Sequence, residues 1–308
     1  MLSGQPLFVV PDDGKPSSIQ AGAGRVLGAR LRRLREGQGL RLADVVAAGA
    51  IGSVATLSRI ENAATPLREE TVLILARHYG ISDTAELDIM VGLVEKSRTD
   101  AWWGAFHDVV PGWMERLISV EASARSIRTY QLQYIPGLLQ TGPYARALMQ
   151  AHCEPGMDAA QIQRNVERRS DVRLIRQRLL QGSSPPQYYA VMDENVLVRN
   201  VGGTAVMREQ LRQLYSWEEN REHVHLRIIP FDRGAEALAP AASMTHLAFP
   251  PGREMDMMYL EVPDGGTYVT NPQDLHRYKL ALTSLWKLAA NRTETLAILD
   301  RRIKSMEG

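Results

Sequence analysis

Ser53-Val-Ala-Thr-Leu-Ser-Arg-Ile-Glu-Asn62 decides how the first third of the chain is read. Ser53 predicts a helix start, because its hydroxyl can accept a backbone N–H from the first turn. At about 100° per residue, Leu57 and Ile60, with Val54, make an inward face. Ala55, Ser58, Arg59 and Asn62 fall on the opposite face, short residues first, then one arginine and one asparagine. Those two side chains suit base edges: arginine makes a bidentate bond to guanine, asparagine to adenine. Taken alone, the segment is also an ordinary amphipathic helix, so its neighbours have to decide.

Upstream, Leu27, Leu31 and Leu34 form an apolar stripe at i, i+4 and i+7, and Arg25, Arg30, Arg32, Arg33 and Arg35 crowd the same helix. Gly37 and Gly39 end it, glycine being the usual residue past a helix end. A short second helix is expected over about residues 42–48, with Val45 and Val46 inward, and Gly49 to Gly52 turn the chain into Ser53. Two helices, a glycine-containing turn and a capped third helix fit a DNA reader whose last helix enters the major groove. From Arg25 to Arg68 there are eight arginines against Glu36, Asp44 and Glu61, while the whole chain has a formal net charge of +1. Such local positive charge is what phosphate contact requires.

The residue roles follow. Arg59 and Asn62 are expected on base edges, Ala55 and Ser58 close to the groove, and Ser53, Val54 and Thr56 against the DNA at the opening turn. Arg41 is assigned to the backbone, with Arg30 and Arg33 as phosphate contacts from the first helix. Glu61 sits at the edge of the inward side and needs a partner there; Arg30 or a neighbouring arginine is expected to supply it.

Leu27-Gly-Ala-Arg-Leu-Arg-Arg-Leu-Arg-Glu36, Leu40-Arg-Leu-Ala-Asp-Val-Val46 and Thr56-Leu-Ser-Arg-Ile-Glu-Asn62 resemble the Xre, or lambda-repressor-like, family of helix-turn-helix regulators. Thr71-Val-Leu-Ile-Leu-Ala-Arg-His-Tyr-Gly-Ile81 continues that pattern. One departure is that the stretch between Val45 and Ser53 is a residue longer than the family's, with Gly49 where an apolar residue is usual.

Three regions are expected: a disordered arm over 1–22, a helix-turn-helix domain of about five helices over 23–97, and an α+β domain over 98–308. The arm carries Pro11, Asp12, Asp13, Gly14, Lys15 and Pro16, a composition that resists packing; an artefact of the assigned start would look the same. Thr65-Pro66 is expected to open a fourth helix and Gly80 to end it. Asp83 and Glu86 have the spacing of a capping box for a fifth. Leu87, Met90, Val91 and Val94 make its stripe, for the core or for a second subunit. Cys153 is the only cysteine, which excludes an intrachain disulfide and a cysteine-rich zinc site. No apolar run approaches a bilayer span, and Leu7-Phe-Val-Val10 is too short for a signal-peptide core. A cytoplasmic protein is expected.

Beyond 100, Trp102, Trp103, Phe106, Trp113 and Met114 have helix-like spacing and read as packing residues. Pro136-Gly137 breaks an extended stretch, and Thr141 can cap a helix with Pro143 near its start. Residues 161–181 read as a helix rich in arginine, with Arg164, Arg168 and Arg169 as candidates to meet an acidic partner; a solvated, salt-bridged face is the alternative. Five strands are expected, at 188–192, 224–229, 244–249, 257–262 and 267–270, with Asp264-Gly-Gly266 as a hairpin turn and a helix over about 205–222. The pattern predicts a mostly antiparallel sheet rather than repeated β-α-β units.

Thr129-Tyr130, Pro136-Gly-Leu-Leu-Gln-Thr141, Tyr144-Ala-Arg146, Asp193-Glu194, Val201-Gly-Gly203, Met207-Arg-Glu-Gln-Leu211 and Ile229-Pro-Phe231 resemble the C-terminal domain of WhiJ-like actinomycete regulators. The resemblance implies a cytoplasmic developmental or metabolic regulator. Its relatives are often encoded beside a small partner protein, and some are antitoxin-like.

No catalytic set is apparent. His223 and His225 would share a strand face but lack a third ligand. Asp193, Glu194 and Glu261 lack the lysine that nuclease carboxylates usually keep nearby, and Gly202-Gly203 lacks the Lys-Ser/Thr of a phosphate loop. No enzyme activity, metal or cofactor is expected. The expectation is a sequence-specific transcription regulator, acting as a repressor. It binds double-stranded DNA at a palindromic operator as a homodimer, with the second domain supplying much of the dimer contact and binding a small partner protein. The alternative is a second domain that senses a small molecule, with Tyr188, Tyr189, Phe231, Tyr259 and Tyr268 lining a pocket.

Overall fold

The computed structural model describes residues 22–97, 102–152, 156, 158–182, 184–233, 242–249, 256–262 and 265–307. The expected arm up to residue 21, Cys153 and residues 98–100 of the expected boundary lie outside the described residues.

The N-terminal region is built from α1 (Gly22–Gly37), α2 (Leu42–Ala47), α3 (Val54–Glu61), α4 (Glu69–His78) and α5 (Thr84–Ser97). Its axis is α1, whose Val26, Leu27 and Leu31 are fully buried and which packs against α3, α4 and α5. At Gly28 the α1 and α3 backbones nearly touch: a Cβ there would lie 2.7 Å from the Glu61 carbonyl oxygen and 2.8 Å from that of Ile60. The missing side chain therefore sets the distance between the two helices.

The longer turn before α3 is absorbed at Gly49, which takes a left-handed conformation (φ 77°). Its N–H donates to the Val46 carbonyl, and the Ala50 N–H donates to that of Val45, which closes α2 with a Schellman motif. The same pair of bonds closes α3, from Ala63 to Ile60 and from Ala64 to Arg59, but here the left-handed residue is Ala63 (φ 50°). An L-residue with a Cβ is strained in that conformation.

Two expectations need correction. Pro66 does not open α4, which begins at Glu69 after an extended Arg68; buried Leu67 anchors the connection instead. The capping box at α5 does not form, because Glu86 is drawn to Arg30 at 2.5 Å and Asp83 alone accepts the Ala85 N–H. Leu87, Met90 and Val94 of the α5 stripe are buried core.

The C-terminal region adds α6 (Gly112–Glu121), β1 (Ser126–Gln131), α7 (Gly142–Ala151), α8 (Ala159–Gln177), β2 (Gln187–Asp193), α9 (Asn195–Val198), α10 (Thr204–Asn220), β3 (Val224–Ile229), β4 (Met244–Ala248), β5 (Met257–Val262), β6 (Gly265–Val269), α11 (Pro272–Leu288) and α12 (Arg292–Lys304). The sheet order is β3-β2-β1-β4-β5-β6. β1 pairs with β2, and β2 with β3, in parallel; the other three pairings are antiparallel. The sheet is therefore mixed, not mostly antiparallel, and the β-α-β connections expected to be absent join its first three strands. α7 and α8 lie between β1 and β2, α9 and α10 between β2 and β3, and a long helical crossover returns the chain to the end it started from. The expected hairpin between β5 and β6 pairs Val262 with Gly265, so Gly265 and Gly266 are strand residues; 263–264 lie outside the described residues.

One sheet face, with Ile127, Tyr188, Leu226 and Leu247, joins the main core; the other, with Tyr130, Val191, Ile229, Met244 and Met258, is covered by Leu275, Leu282 and Leu285 of α11. Trp103, Val109, Val110, Ile118 and Val172 form a satellite core, with Trp102, Phe106 and Met114 packed against it. The two regions meet through α1, which packs on α6. Arg33 Nη2 also donates to the Asp256 carbonyl (3.2 Å).

Candidate nucleic-acid interface

The start of α3 is fixed by its own first residues. Ser53 Oγ accepts the Thr56 N–H at 3.1 Å and lies 2.9 Å from Thr56 Oγ1. That satisfies one of the unpaired N–H groups of the first turn. Leu57 and Ile60 are buried, but Val54 is 42% exposed. Val54 sits in the first turn, beyond the cover that buries Leu57, and so joins the outward face rather than the inward one. Ala55, Arg59 and Asn62 are exposed, and Thr56 and Ser58 are half-buried. Arg59 has no carboxylate within ion-pair distance among the described residues. Asn62 caps the helix end, and its Nδ2 donates to the Ser58 carbonyl at 2.9 Å. It has to leave that bond to reach a base.

Behind this face lies a buried ion pair. Arg35 Nε and Nη2 donate to the two Glu61 oxygens at 2.7 and 2.9 Å, and Arg35 Nη1 donates to the Leu40 carbonyl at 2.8 Å. Both side chains are nearly inaccessible. The Glu61 hydrogen bond holds the Arg35 guanidinium above its ordinary pKa against the opposing effect of burial. Burial, with the Glu61 charge, pushes the neighbouring Tyr79 hydroxyl up to about 12. Glu61 is thus a strut between α3 and α1, and Arg35, the neighbour of Arg30 in that helix, is its partner.

Arg30 and Arg33 do not face outward, which corrects their assignment to phosphates. Arg30 is buried and bound to Glu86 of α5; Arg33 is half-buried and turned toward Asp256. Both lie on the sides of α1 that meet other elements. Arg41 is outward, with its side chain 84% exposed. It caps α2 with Asp44, the Arg41 N–H donating to Oδ2 at 2.7 Å. Hydrogen bonding from Arg41 lowers the Asp44 carboxyl below its usual range. One residue escaped notice in the sequence: Arg68, exposed ahead of α4. It lines a cleft of about 260 Å³ together with Ile51, Thr56, Thr65 and Thr71, next to α3. Its charge had counted in the basic cluster, but starting the helix at Pro66 hid its position.

In α8, Arg164 and Arg169 are exposed. Arg168 is engaged: it donates to Asp108 at 2.7 Å and to the Ala105 carbonyl at 2.8 Å, and lies 5.1 Å from the centre of the Phe106 ring. Arg176 grips both oxygens of buried Glu121 at 2.6 Å. The other candidates for chemistry are occupied locally. Asp193 Oδ1 accepts the Asn195 N–H and Glu194 Oε2 the Phe231 N–H, each at 2.9 Å. His225 stacks on Tyr189 at 4.7 Å. Among the described residues no group of three or more His, Cys, Asp or Glu side chains is placed to hold a metal ion. Tyr188 and Tyr259 enter the main core, Tyr189 lies on the opposite sheet face, and Phe231 is 64% exposed, so the aromatics do not converge on one pocket. No helix of the described residues is long and apolar enough to cross a membrane.

Residues 26–88 match the helix-turn-helix domain family, and residues 114–301 match the family described as domain of unknown function DUF5753. No curated protein and no solved structure matches the chain. The second match takes in well over half of the sequence, so the chain belongs to the DUF5753 family, with a helix-turn-helix domain ahead of that region.

Proposed function

We propose that the protein is a sequence-specific DNA-binding transcription regulator, acting as a repressor, whose C-terminal domain receives the signal. The observation that carries this reading is the outward face of α3. On a capped helix it presents exposed Ala55, Arg59 and Asn62, with Arg59 held by no carboxylate among the described residues. In this reading the protein works in the cytoplasm, catalyses no reaction and needs no cofactor. One helix-turn-helix reads only a few base pairs, so the functional unit is a homodimer on a palindrome, its half-sites roughly 34 Å apart. Selection of bound duplexes from a random pool with the full chain should enrich a palindrome. A pool that stays random at moderate salt overturns the proposal. Sedimentation of a monomer only, with and without the selected duplex, removes the dimer.

For the C-terminal domain the first reading is a small acidic partner protein. Exposed Arg164 and Arg169 support it, as patches of one charge give fast, salt-sensitive association. Co-purification at low and high salt, with an Arg164→Glu, Arg169→Glu variant as control, tests it; equal recovery of the same protein by both forms counts against it. The second reading, a small-molecule sensor, is favoured by a polar cavity beneath residues 136–138.

A further inference from the structure

α4 buries one face and leaves the opposite face bare. Val72, Leu75 and Ala76 are buried, with Tyr79 after them. At about 100° per residue, Glu70, Ile74 and Arg77 fall within about 60° of one another, on the side away from that core. All three are exposed, and Ile74, at 44%, is among the few large aliphatic side chains left open in the described residues.

The two charges of this stripe have no partner in their own helix. Every residue three or four positions from Glu70 or from Arg77 is uncharged, so the usual pairing along a helix face is absent. Neither takes part in an ion pair among the described residues. Acid in the first turn and base in the last also suit the helix dipole, but the dipole does not account for an open isoleucine between them.

The order acid, aliphatic, base is self-complementary. In a two-fold contact, each residue that meets another is met by it in return. With two α4 helices antiparallel and the axis through Ile74, that residue meets the partner's Ile74. Glu70, four residues to one side, faces the partner's His78, and the partner's Arg77 lies one residue nearer the axis, a rise of about 1.5 Å. The same pairs recur on the other side of the axis. A parallel pairing would instead set like charges together. The stripe therefore fits a second copy of this chain in one direction. It contains no residue of the outward face of α3, so pairing leaves both DNA readers free.

We propose that the Glu70, Ile74 and Arg77 stripe of α4 is a contact through which two copies of the helix-turn-helix domain pair, antiparallel about Ile74. The proposal rests on the homodimer reading above and gives that dimer a contact within the reader itself. Exposed ion pairs are worth little singly, so the contact is weak and reversible. A DNA site that holds two readers side by side strengthens it by raising their effective concentration.

The test is made without DNA, so that it does not depend on the operator. In the full chain carrying Cys153→Ser, Ile74→Cys is oxidised mildly at high protein concentration and the disulfide-linked dimer is followed. A residue that faces its own copy across the axis can reach the short Cβ separation a disulfide needs. Ile74→Cys should link, and Asp88→Cys, exposed on α5, should not. Adding Glu70→Arg should slow the linkage about tenfold, two attractive pairs becoming repulsive. Adding Arg77→Glu to that variant should restore the rate, which random collision would not do. Since these positions are exposed, the reversals should melt close to the parent chain. Sedimentation of the parent chain, with and without the selected duplex, separates the two failures. A dimer in which Ile74→Cys links no faster than Asp88→Cys, links equally fast with Glu70→Arg, or is not restored by the double reversal overturns this contact and leaves the homodimer standing. A monomer under both conditions overturns both.

Discussion

α3 contains one arginine and α8 contains five, yet α3 is the better candidate for a surface that meets another molecule. Arg59 stands outward with no carboxylate partner among the described residues. In α8 only Arg164 and Arg169 are exposed; Arg168 is tied to Asp108, Arg176 to Glu121, and Arg173 is turned against Gly137. The difference teaches that arginine density does not locate an interface. A helix wedged between other elements turns its long side chains inward and uses their charge for packing. A helix whose outer face meets nothing leaves even one arginine available.

The comparison is broken most strongly at Glu121. Glu121→Ala leaves Arg176 buried without a partner, and urea unfolding should register a loss of about 3–5 kcal/mol. A change below 1 kcal/mol would mean that the inward arginines of α8 are not structural. Gly28→Ala forces a methyl into the α3 backbone. It should cost about 1–3 kcal/mol and weaken DNA binding more than a C-terminal ligand; preserved DNA affinity removes the proposed close crossing of α1 and α3. A smaller effect of opposite sign is expected at the end of α3. Ala63→Gly relieves a left-handed alanine and should stabilise the chain by about 0.5–1 kcal/mol, visible as a higher denaturation midpoint at unchanged slope. The smallest effect belongs to the exposed side of α8, where Arg169→Ala should stay within about 0.5 kcal/mol of the parent. A larger loss would show that this side is not the solvated face described.

What was legible in the sequence was local. The Ser53 cap, the Leu57–Ile60 spacing and the leucine stripe of α1 all act within two or three turns, and the strands from β2 to β6 announce themselves as short, largely apolar runs. β1 did not. Its Ser126-Ile-Arg-Thr-Tyr-Gln131 carries a single aliphatic residue among polar ones, although Ile127, Thr129 and Tyr130 are buried in the sheet. Parallel pairing was also hidden, because it depends on where the crossover helices bring the chain back. The same distance problem separates the candidate residues that face outward as expected from those that turn inward. Arg59 and Asn62 follow from helix period alone, whereas Arg30 turns inward because of Glu86, 56 residues away, and Arg176 because of Glu121, 55 residues away. No local pattern encodes those partners.

The most direct measurement compares Arg59→Ala with the parent chain on the selected operator and on random duplex at the same salt. The account predicts an affinity loss of roughly 1–3 kcal/mol on the operator, relaxed preference at one base position and a smaller, uniform loss on random DNA. The melting temperature should not move. If Arg59→Ala folds normally and keeps the parent ratio of specific to random binding, α3 does not read bases through Arg59 and the central assignment fails.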